Sequence, residues 1–379
     1  MKKVIAQKYI QDVLAKANVT LNGNRPQDIK LLDERALNRI ITDGSLGLGE
    51  TYMAGWWDCE RIDELSYHLC KAEMEKEVKS NLLHFVYNLS SKILNHQSKQ
   101  HSKQVAFKHY NLDNNLFELM LGKSMAYSCG YWKDADELNT AQLAKYQLIC
   151  RKLQLNSQDT LLDIGCGWGG LAAYAAEHYG CNVVAISIAS EQIAYAKQRY
   201  HHLPINFYMT DYRDTANYNP LNKQFTKLVS VGACEHIGSK NYKSFFQLME
   251  KQLTDNGLFL LHTIGNNETL TTTDPWINKY IFPHGALPSM KQLTGALESS
   301  FIVEDWHNFG KYYDKTLLAW NQNFEANWGS IQSRFDAQFY RMWRYYLLMC
   351  AGMFRARMAQ VWQIVMSKSG LEEGYESVR

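Results

Sequence analysis

One segment constrains this chain's fold more than any other: Asp163-Ile-Gly165-Cys-Gly167-Trp-Gly169-Gly170. It follows the aliphatic run Thr160 to Ile164 and opens a stretch with helical apolar spacing, Gly169 to Tyr179. A strand that turns through glycines into a crossover helix is the building unit of a parallel sheet. Further short β-branched runs follow at Asn182 to Ile186, Ile205 to Met209, Lys227 to Val231, Leu258 to Thr263 and Phe301 to Asp305. Gln360 to Ser367 alternates Val361, Gln363 and Val365 against Trp362, Ile364 and Met366, which predicts a final strand. The expected fold is therefore α/β, a doubly wound Rossmann-like sheet with ligands at the strand carboxyl ends.

Glycines in the first turn let the backbone approach a ligand, and the helix N-terminus presents unsatisfied N–H groups to it. By spacing, Gly165, Gly167 and Gly170 also satisfy GxGxxG, which leaves a nicotinamide or flavin dinucleotide open. A dinucleotide fold places a ribose-binding acid about 20 residues on; this chain instead reads Ala185-Ile-Ser187-Ile-Ala-Ser. The same loop marks the sheet of S-adenosylmethionine-dependent methyltransferases, in which Gln192 is the nearby polar group able to replace that acid.

A second group of residues lies where the fourth and fifth strands end, in Val231 to Gly238 and in Leu261-His262-Thr-Ile264-Gly265. Both segments border the same crevice, so Glu235 and His262 are expected to meet there. A carboxylate beside an imidazole shuttles a proton or binds a small polar ligand. A metal site is the competing reading, but no third ligand follows at short spacing.

The 379 residues suffice for about two domains. Residues 1–95 predict a small, mostly helical domain, 96–115 a linker, and 116–379 the catalytic sheet domain. The polar run His96 to Gln104 marks the connector, and Lys92, Lys99, Lys103 and Lys108 form an acid-free basic stretch around it. A net charge of +2 argues against a nucleic-acid partner. The start of the chain lacks an uninterrupted apolar run after its lysines, and Tyr345 to Phe354 is about half a bilayer span, so a cytoplasmic protein is expected. Aromatic residues make up 13% of the chain, a loading that suits lipid or cation contacts or simply a large core.

Taken together, several long motifs resemble the cyclopropane-fatty-acyl-phospholipid synthase family of bacteria. They are Gly44-Ser-Leu-Gly-Leu-Gly-Glu50, Gly55-Trp-Trp57, Tyr127-Ser-Cys129-Gly-Tyr-Trp132, the glycine loop, Val231 to Gly238, Leu261 to Gly265, Asp274 to Pro283, Glu304 to Phe309 and Cys350 to Arg357. The resemblance spans nearly the whole chain. It implies a class I methyltransferase sheet and transfer of a methylene carbon from S-adenosylmethionine to a cis double bond of unsaturated phospholipid acyl chains, closing a cyclopropane ring.

By the same resemblance, a bound bicarbonate or carbonate is the general base, held by Cys129, Glu235, His262, Tyr313 and the Ile264 backbone. The matching S-adenosylmethionine positions are Tyr127, Ser128, Asp163, Gly165, Gly167, Ser187, Gln192, Asp211 and Tyr212. Cys350 matches a cysteine described as active in the family, although its apolar helical context favours a buried structural thiol. The family also implies a homodimer in peripheral contact with the inner face of the membrane through the N-terminal domain, with Arg334, Arg341, Arg344, Arg355 and Arg357 as candidates to meet lipid headgroups. Where the family reads His-Tyr-Asp-x-Gly-Asn-Asp, this chain reads His109-Tyr-Asn111-Leu-Asp113-Asn-Asn115, losing the glycine and two carboxylates. The alternatives are a same-fold methyltransferase giving methyl-branched lipid or acting on a small molecule, a non-catalytic lipid binder, and a dinucleotide oxidoreductase.

Overall fold

A computed structural model describes residues 2–72, 113–270 and 273–379, with side chains from residue 7 onward. The expected connector at 96–104, the four lysines beside it and most of the 96–115 linker lie outside the described residues.

The chain divides into two compact units. The first takes its described residues from 1–94, 271–283 and 313–359. It contains the helices Arg35–Met53, Ile62–Lys71, Pro275–Tyr280 and Ala337–Arg355, together with a two-stranded antiparallel ribbon, β1 (Lys30–Leu31) and β2 (Trp57–Asp58). The sequence reading assigned everything after 116 to the sheet domain, so the segments 271–283 and 313–359 are a correction. The cause is the apolar stripe of Ala337–Arg355, which buries Trp343, Tyr345, Leu347, Leu348 and Ala351. That helix lies against Ile62–Lys71 closely enough that a Cβ at Gly352 would sit 2.3 Å from the Asp63 carbonyl oxygen, and Ser66 Oγ donates to the Met349 carbonyl at 2.6 Å.

Much of the aromatic excess is core here. The Tyr345 ring contacts Tyr52, Trp57 and Trp276 at centroid distances of 5.4, 6.3 and 4.7 Å. The motif Gly44 to Glu50 runs inside Arg35–Met53, which kinks at Gly44 (φ 58°), and Gly49 leaves room for the Trp276 indole. Three of the arginines put forward for headgroups are engaged within this unit. Arg341 donates to the Tyr52 and Trp57 carbonyls, Arg344 to Glu325 and the Tyr52 hydroxyl, and Arg355 to Asp63, Glu64 and Asp314.

The second unit, from the described residues of 95–270, 284–312 and 360–379, holds a seven-stranded sheet. Its strands are β3 (Thr160–Ile164), β4 (Asn182–Ser187), β5 (Ile205–Met209), β6 (Phe225–Val231), β7 (Leu253–Asn266), β8 (Ile302–Asn308) and β9 (Ala359–Ser367), ordered β5-β4-β3-β6-β7-β9-β8. β3 to β7 pair in parallel, and β8 pairs antiparallel with β9.

Tyr146, Ile149, Leu171 and Ala175 belong to one apolar core on this sheet, and Phe245, Phe246, Met249 and Leu293 to another, the two-sided cover that a parallel sheet needs. β7 is longer than its sequence suggests because pairing with β6 resumes at Leu253, beyond the weak strand formers Asp255, Asn256 and Gly257. β8 reaches Asn308 because its partner β9 continues alongside it to Trp362.

Candidate active site

Parallel register brings the two sequence-predicted groups to one end of the sheet. Asp163 on β3 stands opposite Val229 on β6, and Val231 on β6 opposite His262 on β7. Past β3 the chain turns through Gly165 (φ 81°) and Gly167 (φ 55°). A Cβ at Gly165 would lie 2.7 Å from that of Ala233, whereas no described residue comes within 4 Å of one at Gly167. Trp168 Nε1 anchors the loop by donating to Asn114 Oδ1 at 2.9 Å. Asn114 belongs to the departing segment after 109; its neighbour Asp113 caps the helix Asn114–Leu121 by accepting from the Asn115 N–H.

Asp163 is 1% exposed, its Oδ2 has no hydrogen-bond partner among the described residues, and burial raises its carboxyl to about 7. At the end of β4, Ser187 Oγ donates to Gln192 Oε1 at 3.3 Å and both side chains are buried. Asp211, after β5, accepts the Arg213 backbone N–H and two N–H groups of its guanidinium, and the Tyr212 ring packs edge-on against Phe245. These residues therefore line consecutive strand ends. An orphaned buried carboxylate oxygen next to a glycine turn fits a polar, hydroxyl-bearing and cationic ligand such as S-adenosylmethionine.

Glu235 sits in the short helix Cys234–Ile237 just past β6. Its Oε1 accepts the Ile264 backbone N–H at 2.7 Å, while Oε2 is buried without a partner among the described residues. Burial raises its carboxyl to about 7, only partly opposed by the Ile264 hydrogen bond. His262 is 2% exposed; burial, reinforced by the charges of Lys145 and Lys152, holds it well below its ordinary value, so it is a neutral imidazole. Its Nδ1 faces the Gln363 amide at 3.4 Å and its ring meets Phe309 at 5.6 Å. Cys129 is buried beside Tyr127 and Ser128, and the Tyr127 ring packs edge-on against Phe117.

Two expected residues belong to the other unit. Tyr313 packs there against Phe354 and Trp320 at 4.5 and 6.0 Å, and the Cys350 thiol is pushed up to about 12 by burial, with Asp274 and Cys70 adding to the rise. A thiol held protonated in this way is a poor nucleophile, which supports the structural reading of Cys350.

Sequence reasoning missed Asn114, Gln142, Lys145 and Gln363. For the lysine the signal was present. Leu138, Ala141, Gln142, Lys145, Tyr146, Leu148, Ile149 and Lys152 form the buried stripe of helix Leu138–Lys152, so Lys145 stands on its apolar face.

The family model for mycolic acid cyclopropane synthetase matches residues 96–364. The cyclopropane-fatty-acyl-phospholipid synthase of Escherichia coli (strain K12) is 45% identical over 368 residues, covering 97% of this chain and 94% of that one. The chain belongs to the cyclopropane synthase family. It is thereby an S-adenosylmethionine-dependent enzyme of the methyltransferase class, and the resemblance read from its motifs holds.

Among solved structures of the family, the mycolic acid cyclopropane synthase CmaA1 complexed with SAH and CTAB superimposes with a TM-score of 0.64 at 30% identity, over 71% of this chain and 98% of that one. Coclaurine N-methyltransferase, with a TM-score of 0.68 over 85% of this chain and 99% of that one at 21% identity, shares the fold. Among the described residues, no helix is long and apolar enough to cross a membrane.

Proposed function

We propose that this chain transfers a methylene carbon from S-adenosylmethionine to the cis double bond of unsaturated acyl chains in membrane phospholipids, forming a cyclopropane ring with bicarbonate as the general base. The observation that carries the reading is the near full-length similarity to the Escherichia coli phospholipid synthase, 45% identity over 97% of this chain. Tyr127, Ser128, Asp163, Gly165, Gly167, Ser187, Gln192, Asp211 and Tyr212 bind the methyl donor. Buried Asp163 offers its unpartnered oxygen to a donor hydroxyl or to positive charge.

The alkene attacks the donor methyl, whose bond to the sulfonium sulfur breaks with release of S-adenosylhomocysteine and leaves a carbocation on the acyl chain; loss of a proton from the transferred methyl then supplies the electron pair that closes the ring. Bicarbonate, when bound, accepts that proton. Cys129, Glu235, His262 and the Ile264 backbone are the residues of the sheet unit that would hold it. The neutral His262 ring accepts or donates one hydrogen bond at each nitrogen, and Glu235, with its carboxyl near 7, either donates to or accepts from a small oxyanion at its open oxygen.

Phe309 beside His262, joined edge-on to Tyr131 at 5.5 Å, contributes π density that lowers the energy of a nearby carbocation. Peripheral contact with the inner face of the bilayer and a homodimer complete the reading, and are tested by co-sedimentation with vesicles and by light scattering.

The deciding experiment incubates the purified protein with methyl-labelled S-adenosylmethionine and vesicles of unsaturated phospholipid, with and without bicarbonate, and analyses the acyl chains by mass spectrometry and NMR. Cyclopropane ring protons that depend on bicarbonate are expected. A methyl-branched product would transfer the chain to the alternative methyltransferase reading.

A further inference from the structure

Lys145 is 0% exposed, at the middle of a buried helix face. Its Nζ donates to Ser128 Oγ at 2.7 Å and to Gln142 Oε1 at 2.7 Å, and the Tyr146 ring lies 4.9 Å away. Both acceptors are neutral, and among the described residues no carboxylate pairs with this ammonium. A lysine charge taken fully out of water without a counter-ion is expensive, and it is normally matched by an anion. Gln142 also donates to the Ser128 carbonyl at 2.9 Å, so the same two side chains fix the backbone immediately before Cys129. The charge of Lys145 bears on both Cys129 and His262, the residues expected to flank the bound base.

We propose that Lys145 is the counter-ion of the anionic base: a positioning residue whose buried ammonium, braced by Ser128 and Gln142, retains bicarbonate in the crevice against Glu235. This deepens the bicarbonate reading and rests on it. The acceptors already engaged by Lys145 leave one of its N–H groups for an oxyanion. A positive field is needed because Glu235, when ionised, repels the ligand and His262 stays neutral. Burial lowers Lys145 to about 7, and an arriving anion favours its charged form.

The test compares the wild-type enzyme with Lys145→Met and Lys145→Gln in carbon-dioxide-depleted buffer, titrating bicarbonate and, separately, measuring S-adenosylmethionine affinity by calorimetry. The half-saturating bicarbonate concentration is expected to rise by about tenfold or more in both variants, the effect of losing a charge-assisted hydrogen bond, with cofactor affinity within about twofold of wild type. An unchanged bicarbonate requirement overturns the proposal. So does an equal loss of cofactor affinity, which would make Lys145 a scaffold for Tyr127 to Cys129.

Nitrate, a planar monoanion, gives a readout on the unmutated protein in case the variants do not fold. It is expected to compete with bicarbonate, and a failure to compete overturns the cationic site. A wild-type enzyme indifferent to bicarbonate would instead remove the underlying reading, an outcome visible without any variant.

Discussion

Two regions of the sheet unit bury charge in opposite ways. At the β8 edge, Lys152 lies 3.2 Å from Asp305, which also receives Ser377 and both terminal nitrogens of Arg379, while His307 meets Lys152 at 3.1 Å. Burial alone would raise Asp305, yet Arg379, Lys152 and Ser377 together hold it down to about 2. At the strand carboxyl ends, Asp163 and Glu235 each keep an oxygen without a partner among the described residues, and no described carboxylate pairs with Lys145. The first cluster satisfies itself and tethers the C-terminal residues. The second is left unmatched, as a site must be if ligands are to complete it.

The sharpest way to break this contrast is Glu235→Gln. Turnover in the labelled-methyl assay should fall by about 10² or more, because the general base loses one of the groups that hold it, while the Tm of the unliganded protein near pH 7 should hold or rise, because a buried carboxyl whose ionisation disfavours the native state is removed. An equal change at the β8 edge should do the reverse. Asp305→Asn strands the fully buried Lys152 and should cost about 3 kcal/mol of stability in urea unfolding, with turnover per folded molecule unchanged.

A smaller effect is expected for Asp163→Asn. S-adenosylmethionine affinity measured by calorimetry should drop about tenfold, and the stability of the free protein should hold or rise.

The two regions should also separate in pH. Asp305 has a depressed carboxyl, so its stabilisation is present above the ordinary aspartate range and is lost as pH falls toward about 2. Glu235 has a raised one: between its ordinary value of 4.5 and about 7 the unfolded chain is ionised and the native group is not, so native stability declines as pH rises through that window. Thermal unfolding followed from pH 4.5 to 7 should therefore show a shallower decline in Glu235→Gln than in wild type; an identical slope would place the titration elsewhere.

The sheet was legible in the sequence because its strands carry period-two or continuous aliphatic patterns and its first turn carries obligatory glycines. β3 and β5 have the expected limits. Glu235 and His262 could be placed at one end of the sheet from sequence because the first follows β6 and the second lies near the carboxyl end of β7. What stayed hidden depends on tertiary partners. Nothing local in Ala337–Arg355 says that its apolar stripe is covered by Ile62–Lys71, and the place of Lys145 on an apolar helix face does not reveal that its partners are Ser128 and Gln142. Gln363 is one residue of an alternating strand, and its proximity to His262 follows only from β9 lying next to β7.

The patchwork origin of the first unit sets a schedule for the nascent chain. Its N-terminal helices leave the ribosome early, but Arg355, whose ion pairs with Asp63 and Glu64 complete their packing, is made nearly 300 residues later. At about 5–20 residues per second that interval is roughly 15 to 60 seconds. During it Arg35–Met53 and Ile62–Lys71, which bury Tyr52 and Leu65, lack the helix Ala337–Arg355 that packs on them. A chaperone-sized gap in time is thus written into the order of the segments, and shortened chains that stop before Ala337 should be held by chaperones or degraded rather than accumulate.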